Sequence, residues 1–289
     1  MKVARFWIRE SATLVDERGR EHSTVAWGWS SDSIEEAHSR AKSAAERIIR
    51  WVVGLSSNDP TPCSQYQYFG GRPPREEILQ EFHDANGETS ATITRNIYGS
   101  TVLNCRDLMF IDIDCREPPA ILRWMRVLLK MRGPTRRSEA GALQNIRFWS
   151  EMYPQTAMNV YRTAAGLRVA IVDRVIRASD PDVHGILKEL DSDPRYLLLC
   201  DAQQCFRARL SPKPWRIGIE MLRERYPFED EAAEATYRDW QQRYDAAAPQ
   251  YATCHFVEHL GPQTIDSRLA PLIELHDAMT RVADRLPLA

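Results

Sequence analysis

The stretch Leu108-Met109-Phe110-Ile111-Asp112-Ile113-Asp114 decides the fold. An apolar run leads into two acids separated by one residue. A strand places residues two apart on one face, so both carboxylates point the same way. Like charges side by side on a strand repel. A divalent cation is the commonest reason to keep such a pair in an apolar segment, and a solvated strand end is the competing reading.

Working outward, the pattern predicts helical segments from Pro118 and from Ser138, strands at 157–163 and 167–173, a helix from Asp180 to Leu190, and a strand at 205–210. That order, β-α-β-β-α-β, is the split βαβ arrangement of ferredoxin-like and RNA-recognition folds, and the class is α+β. In that topology the first strand lies mid-sheet, between the third and fourth. Leu167, Val169 and Ile171 alternate with Arg168 and Ala170, and Phe206, Ala208 and Leu210 alternate with Arg207 and Arg209. One face therefore suits the helices. The other would carry Asp112 and Asp114 flanked by Arg168, Arg207 and Arg209, with Lys213 and Arg216 just beyond. Cations beside metal-holding acids suit phosphate; plain cross-strand salt bridges are the alternative.

Upstream, residues 2–8 and 22–29 read as strands joined by a turn at Asp16-Glu17-Arg18-Gly19. Ser33-Ile34-Glu35-Glu36 fits a capping box opening a helix with an apolar stripe through Ala37, Ala41, Ala44 and Ile48. Turn-rich segments at 56–62 and 70–74 place a boundary near residue 60. Residues 230–247 and 266–284 read as helices. The expected division is a 1–60 β-β-α accessory unit, a 61–225 core and a 226–289 helical extension. The accessory unit is a candidate dock for a protein partner.

The net charge of −2 denies a global basic signal, although a nucleic-acid enzyme needs only a local stripe. Six cysteines lack a C-x-x-C spacing, which argues for buried free thiols. No apolar run approaches the roughly 20 residues needed to cross a bilayer, and the start lacks a secretory pattern. These features predict a cytoplasmic protein without membrane contact. His255-Phe256-Val257-Glu258-His259 matches H-x-x-E-H, an inverted zinc-hydrolase signature if helical. The remaining histidines, His276 among them, have no ligand spacing.

Three segments together resemble the archaeo-eukaryotic primase, or primase-polymerase, superfamily. They are Phe110-Ile111-Asp112-Ile113-Asp114, the hairpin Tyr161-Arg162-Thr163-Ala164-Ala165-Gly166-Leu167-Arg168, and Cys205-Phe206-Arg207-Ala208-Arg209-Leu210-Ser211-Pro212-Lys213-Pro214-Trp215-Arg216. The likeness covers roughly residues 95–220. It implies an RRM-like catalytic core that transfers nucleotides, in DNA replication or repair, using Mg²⁺ or Mn²⁺ held by Asp112, Asp114 and a third acid. Asp193 is the first choice for that acid, with Asp201 and Asp173 also candidates. Arg168, which stands where the family usually has a histidine, would grip the triphosphate with Arg207, Arg209, Lys213 and Arg216. The implied partners are nucleoside triphosphates and single-stranded or primed nucleic acid. Two other readings stand beside it: a non-catalytic nucleotide- or nucleic-acid-binding module, and the zinc hydrolase.

Overall fold

The computed structural model describes residues 1–54, 73–115 and 138–289. The expected helix from Pro118, Cys63 and the 56–62 linker lie outside the described residues. The chain divides into two units, Lys2–Glu76 and Glu77–Ala289, the latter joined by Met1. The boundary expected near residue 60 thus falls at Glu76.

In the N-terminal unit β1 (Phe6–Val15) and β2 (Glu21–Ser30) form an antiparallel hairpin, longer than the pattern predicts. Asp16 closes its turn by accepting the backbone N–H groups of Arg18 and Arg20, each at 2.9 Å. Helix α1 (Ile34–Val52) begins at Ser33, whose side chain accepts the Glu36 N–H. The expected capping box is only half closed. The Glu36 carboxylate takes the Ser30 hydroxyl, and the Ser33 N–H donates to that same Ser30 oxygen. Gly28 explains the alanine stripe: a Cβ there would lie 2.0 Å from the Ala37 carbonyl oxygen, so strand and helix pack backbone to backbone.

The larger unit holds two four-stranded sheets. One is a meander of β3 (Glu77–His83), β4 (Thr89–Arg95) and β5 (Thr101–Cys105), extended by β9 (Phe206–Arg209). The other contains β6 (Phe110–Asp114), β7 (Met158–Thr163), β8 (Gly166–Ile171) and β10 (Cys254–Leu260), in the order β10-β7-β8-β6. Among the described residues this unit's helices are α2 (Glu139–Met152), α3 (Val183–Glu189), α4 (Pro194–Gln203), α5 (Glu231–Ala247) and α6 (Ala270–Thr280). Residues of both sheets share one apolar core, with Phe110, Ile111 and Val169 from one and Leu103, Phe206 and Ala208 from the other. The class is mixed α+β, as expected.

Two expectations need correction. The strand at 205–210 does not flank β6; it pairs with β5, Val102 opposite Arg209 through Cys105 opposite Phe206. The physical reason is the Tyr196 side chain of α4, which stands between β6 and β9. Its hydroxyl donates to the Phe110 carbonyl at 2.9 Å and accepts the Arg207 N–H at 3.1 Å, replacing ladder bonds with side-chain bonds. Secondly, residues 226–289 are not a purely helical extension, because β10 adds to β7 in the β6 sheet.

Among the described residues no helix is long and apolar enough to cross a membrane. Cys105, Cys200, Cys205 and Cys254 are buried free thiols and Cys115 is a partly buried one.

Candidate nucleotide site at the end of β6

Strand β6 buries Ile111 and Ile113 and turns Asp112 and Asp114 outward, Asp112 half-buried and Asp114 exposed. The register supplies their neighbours. Gly166 lies opposite Asp114 and Arg168 opposite Asp112. A Cβ on Gly166 would sit 2.0 Å from the Ile113 carbonyl oxygen, so the small-residue hairpin is what lets β6 run up to its end.

Arg168 is 1 % exposed. Its Nε donates to Asp112 Oδ1 at 2.8 Å, and its Nη1 donates to the Arg209 carbonyl at 2.9 Å. Nη1 also faces His276 Nε2 at 3.3 Å. Arginine has no acceptor, so that histidine nitrogen accepts, and the Nδ1–H donates to Asp277 Oδ1 at 2.8 Å. His276 is fully buried, its ring 5.0 Å from the rings of both Phe110 and Tyr161. Burial pushes the imidazole pKa down, against the pull of Asp277, which keeps the ring neutral. Burial lowers the Arg168 pKa, but Asp112 together with Cys254 and Tyr196 outweighs it and holds the guanidinium above its ordinary value. The result is a buried relay, Asp112 to Arg168 to His276 to Asp277, that fixes one of the two acids. The cross-strand salt bridge is therefore the structural role of Arg168, and its guanidinium is not turned out to meet a triphosphate.

At the end of β9 and just beyond it, three cations lie close enough to these acids to feel their charge. Burial, then Arg168, brings the Arg209 pKa down to about 10. Burial and the neighbouring Arg209 and Arg216 lower Lys213, while Asp114 and Asp112 pull it up. Burial lowers Arg216, opposed by Asp114. The Arg216 Nη1 is buried with no hydrogen-bond partner among the described residues. Arg209 Nη1 donates to the Ser211 carbonyl at 2.9 Å. Arg207 points elsewhere: it is buried and donates to Gln203 Oε1 at 2.6 Å.

The third-acid candidates part company. Asp193 is drawn to β6 by its backbone, whose N–H donates to the Asp112 carbonyl at 3.0 Å, while its carboxylate caps α4 through the Arg195 N–H. Asp201 pairs with His184 at 2.7 Å and Asp173 with Arg174 at 2.8 Å. Among the described residues no three His, Cys, Asp or Glu side chains gather to hold a metal ion.

The H-x-x-E-H reading needs correction, because His255, Glu258 and His259 lie on strand β10 with a register shift between Phe256 and Glu258. His255 meets the Leu286 carbonyl, Glu258 binds Arg147, and His259 meets Asn159. No shared zinc site arises from them.

Sequence reasoning missed His276 and Tyr196. The signal for His276 was its place on the apolar stripe of α6, with Leu272, Ile273 and Thr280. Tyr196 carried none, since its role depends on a seam between sheets. Comparison with protein-family models, with curated proteins and with solved structures finds no match for this chain.

Proposed function

We propose that this protein is a divalent-metal-dependent nucleotidyltransferase resembling a primase-polymerase. The observation that carries it is the crowding of Arg209, Lys213 and Arg216 against Asp112 and Asp114, cations for an anion beside acids for a cation. Element order supports the RRM-like reading in part, since β6, α2, β7, β8 and α3 follow the split βαβ sequence and β6-β8-β7 are neighbours, while β9 comes after α4 and pairs with β5 in the other sheet.

The donor set fits a hard cation. Asp112 takes Arg168 at 2.8 Å on Oδ1 and stays half-exposed, and Asp114 is exposed. Asp112 and Asp114 are the residues that would hold Mg²⁺ or Mn²⁺, with Asp193, whose backbone reaches β6 but whose carboxylate caps α4, as the third acid only after its side chain leaves that cap; the ion when bound would supply Lewis-acid activation of a 3′-hydroxyl and neutralise the leaving pyrophosphate. Arg209, Lys213 and Arg216 bind the triphosphate by charge-assisted hydrogen bonds. Arg168 orients Asp112 from behind. Partners are nucleoside triphosphates and a single-stranded or primed nucleic acid.

The test is incorporation of labelled nucleotides on single-stranded and primed templates with Mg²⁺ or Mn²⁺. Asp114→Asn is the informative variant, because Asp114 is exposed and removing its charge leaves the Arg168 pair intact. Metal-dependent product lost in this variant supports the enzyme. A second reading, a nucleotide- or nucleic-acid-binding module without chemistry, is favoured by the pairing of Asp112 with Arg168 and by the capping role of the Asp193 carboxylate. Absence of product from a folded protein that still binds nucleotide in the presence of a chelator would select it.

A further inference from the structure

We infer that Tyr98 and Trp215 form a base-stacking platform for single-stranded nucleic acid, beside the Lys213 and Arg216 cations. The inference deepens the proposed reading of this site and rests on it for the identity of the partner. It requires neither metal nor chemistry.

The two rings come from distant segments. Tyr98 sits in the turn between β4 and β5, and Trp215 in a short 3-10 turn, Pro214–Arg216, just after β9. The β5–β9 ladder brings the turns together. Their ring centroids are 5.5 Å apart at 84°, and both stay exposed, 40 % for Tyr98 and 45 % for Trp215. A tryptophan acting as a packing anchor would be covered. Here its neighbours Pro214 and Ile217 are the buried ones.

The turns that carry the pair are tied to each other by hydrogen bonds. Asn96 Oδ1 accepts the N–H groups of Tyr98 and Ser100, the Ser100 hydroxyl donates to the Pro212 carbonyl at 2.9 Å, and the Tyr244 hydroxyl donates to that carbonyl at 2.6 Å. Gly99, at φ +94°, packs so closely on Trp240 that a Cβ would lie 2.0 Å from the indole. Pre-set aromatic rings lose little conformational entropy when a base lands on them. Lys213 Nζ lies over the Trp215 ring, 5.5 Å from its centroid, a cation–π contact that sets a phosphate-binding charge at the ring itself. Aromatic rings alternating with cations along a strip are what a sequence-tolerant single-strand site needs, since every base has a π-face.

The experiment is fluorescence-anisotropy titration of a labelled oligothymidylate with the full chain in chelator, across a salt series. Replacing both rings, Tyr98→Ala with Trp215→Ala, is expected to weaken binding about tenfold or more. The slope of log affinity against log salt should stay unchanged, and Trp215→Phe should recover most of the loss. Arg216→Ala should instead flatten that slope. Circular dichroism checks that each variant is folded. Wild-type binding by the folded double variant, or no oligonucleotide binding by the wild-type chain, would overturn the platform. So would a double variant that loses affinity only for nucleoside triphosphate, since the rings would then serve the incoming nucleotide. Failure of the enzyme reading looks different: no nucleotide incorporation, while oligonucleotide binding persists and still depends on Trp215.

Discussion

Asp112 and Asp114 are one residue apart on the same strand face, yet they differ in what the fold asks of them. Asp112 neutralises a guanidinium that is 1 % exposed, whereas Asp114 faces solvent across from a glycine. Removing one partner of a buried pair strands a charge, at about 3–5 kcal/mol, and the half-exposure of Asp112 puts it at the low end. Asp112→Ala is therefore expected to destabilise the protein by about 3 kcal/mol, and by more than Asp114→Ala, which leaves the Arg168 pair intact. Chemical denaturation reads both. Adding Arg168→Met to Asp112→Ala should recover much of the loss, because the stranded charge goes with its partner. Equal stability of the two single variants would contradict the buried pair. A double Asp112, Asp114 variant would thus confound activity with folding, and this is why the single Asp114 substitution is the better probe of chemistry.

At the scale of elements, the seam between β6 and β9 rests on one hydroxyl. Tyr196→Phe keeps the ring and the packing but leaves the Phe110 carbonyl and the Arg207 N–H without it. An unsatisfied buried group costs about 1–3 kcal/mol. The expected outcome is a loss in that range with faster hydrogen exchange at the Arg207 amide, read by mass spectrometry or NMR; unchanged exchange there would show that another group fills the seam. The seam also marks where the sequence stopped being informative. Alternation identified β6, β8 and β9 from Asp112, Arg168 and Arg209, because strand period is a local property. Which strand β9 pairs with is not local, and it turned on a tyrosine in a helix with no distinguishing pattern of its own. For the same reason the strand at 254–260 read as a surface helix that happened to match a zinc motif: two histidines four apart satisfy a helical spacing, but Phe256, Glu258 and the flanking residues pair with β7. The acids and the downstream cations were legible as a group. What the sequence could not carry was that Arg168 points inward and Arg207 toward Gln203.

For the whole molecule, the crowded cations make a statement about stability. Burial and the neighbouring Arg168 bring the Arg209 pKa down to about 10, so the folded chain holds the charge there at a cost the unfolded chain does not bear. An anion bound among Arg209, Lys213 and Arg216 relieves that cost. Inorganic tripolyphosphate should therefore raise the thermal unfolding midpoint at neutral pH, by mass action equivalent to about 2.7 kcal/mol at a hundredfold excess over its dissociation constant. The sign of the pH dependence follows from Lys213, whose charge burial and the neighbouring Arg209 and Arg216 make easier to lose: the benefit falls as pH rises through its lowered value, while both arginines stay charged. Salt should weaken the effect only partly, because buried charges are screened less than exposed ones. Arg216→Ala, which removes the guanidinium whose Nη1 has no partner among the described residues, should cut the shift most per residue, since no internal bond is sacrificed with it. Arg207→Ala should leave the shift intact while lowering basal stability, because that side chain is committed to Gln203. Were tripolyphosphate to stabilise both variants equally, the anion would be binding elsewhere, and the cluster past β9 would lose its claim to the triphosphate.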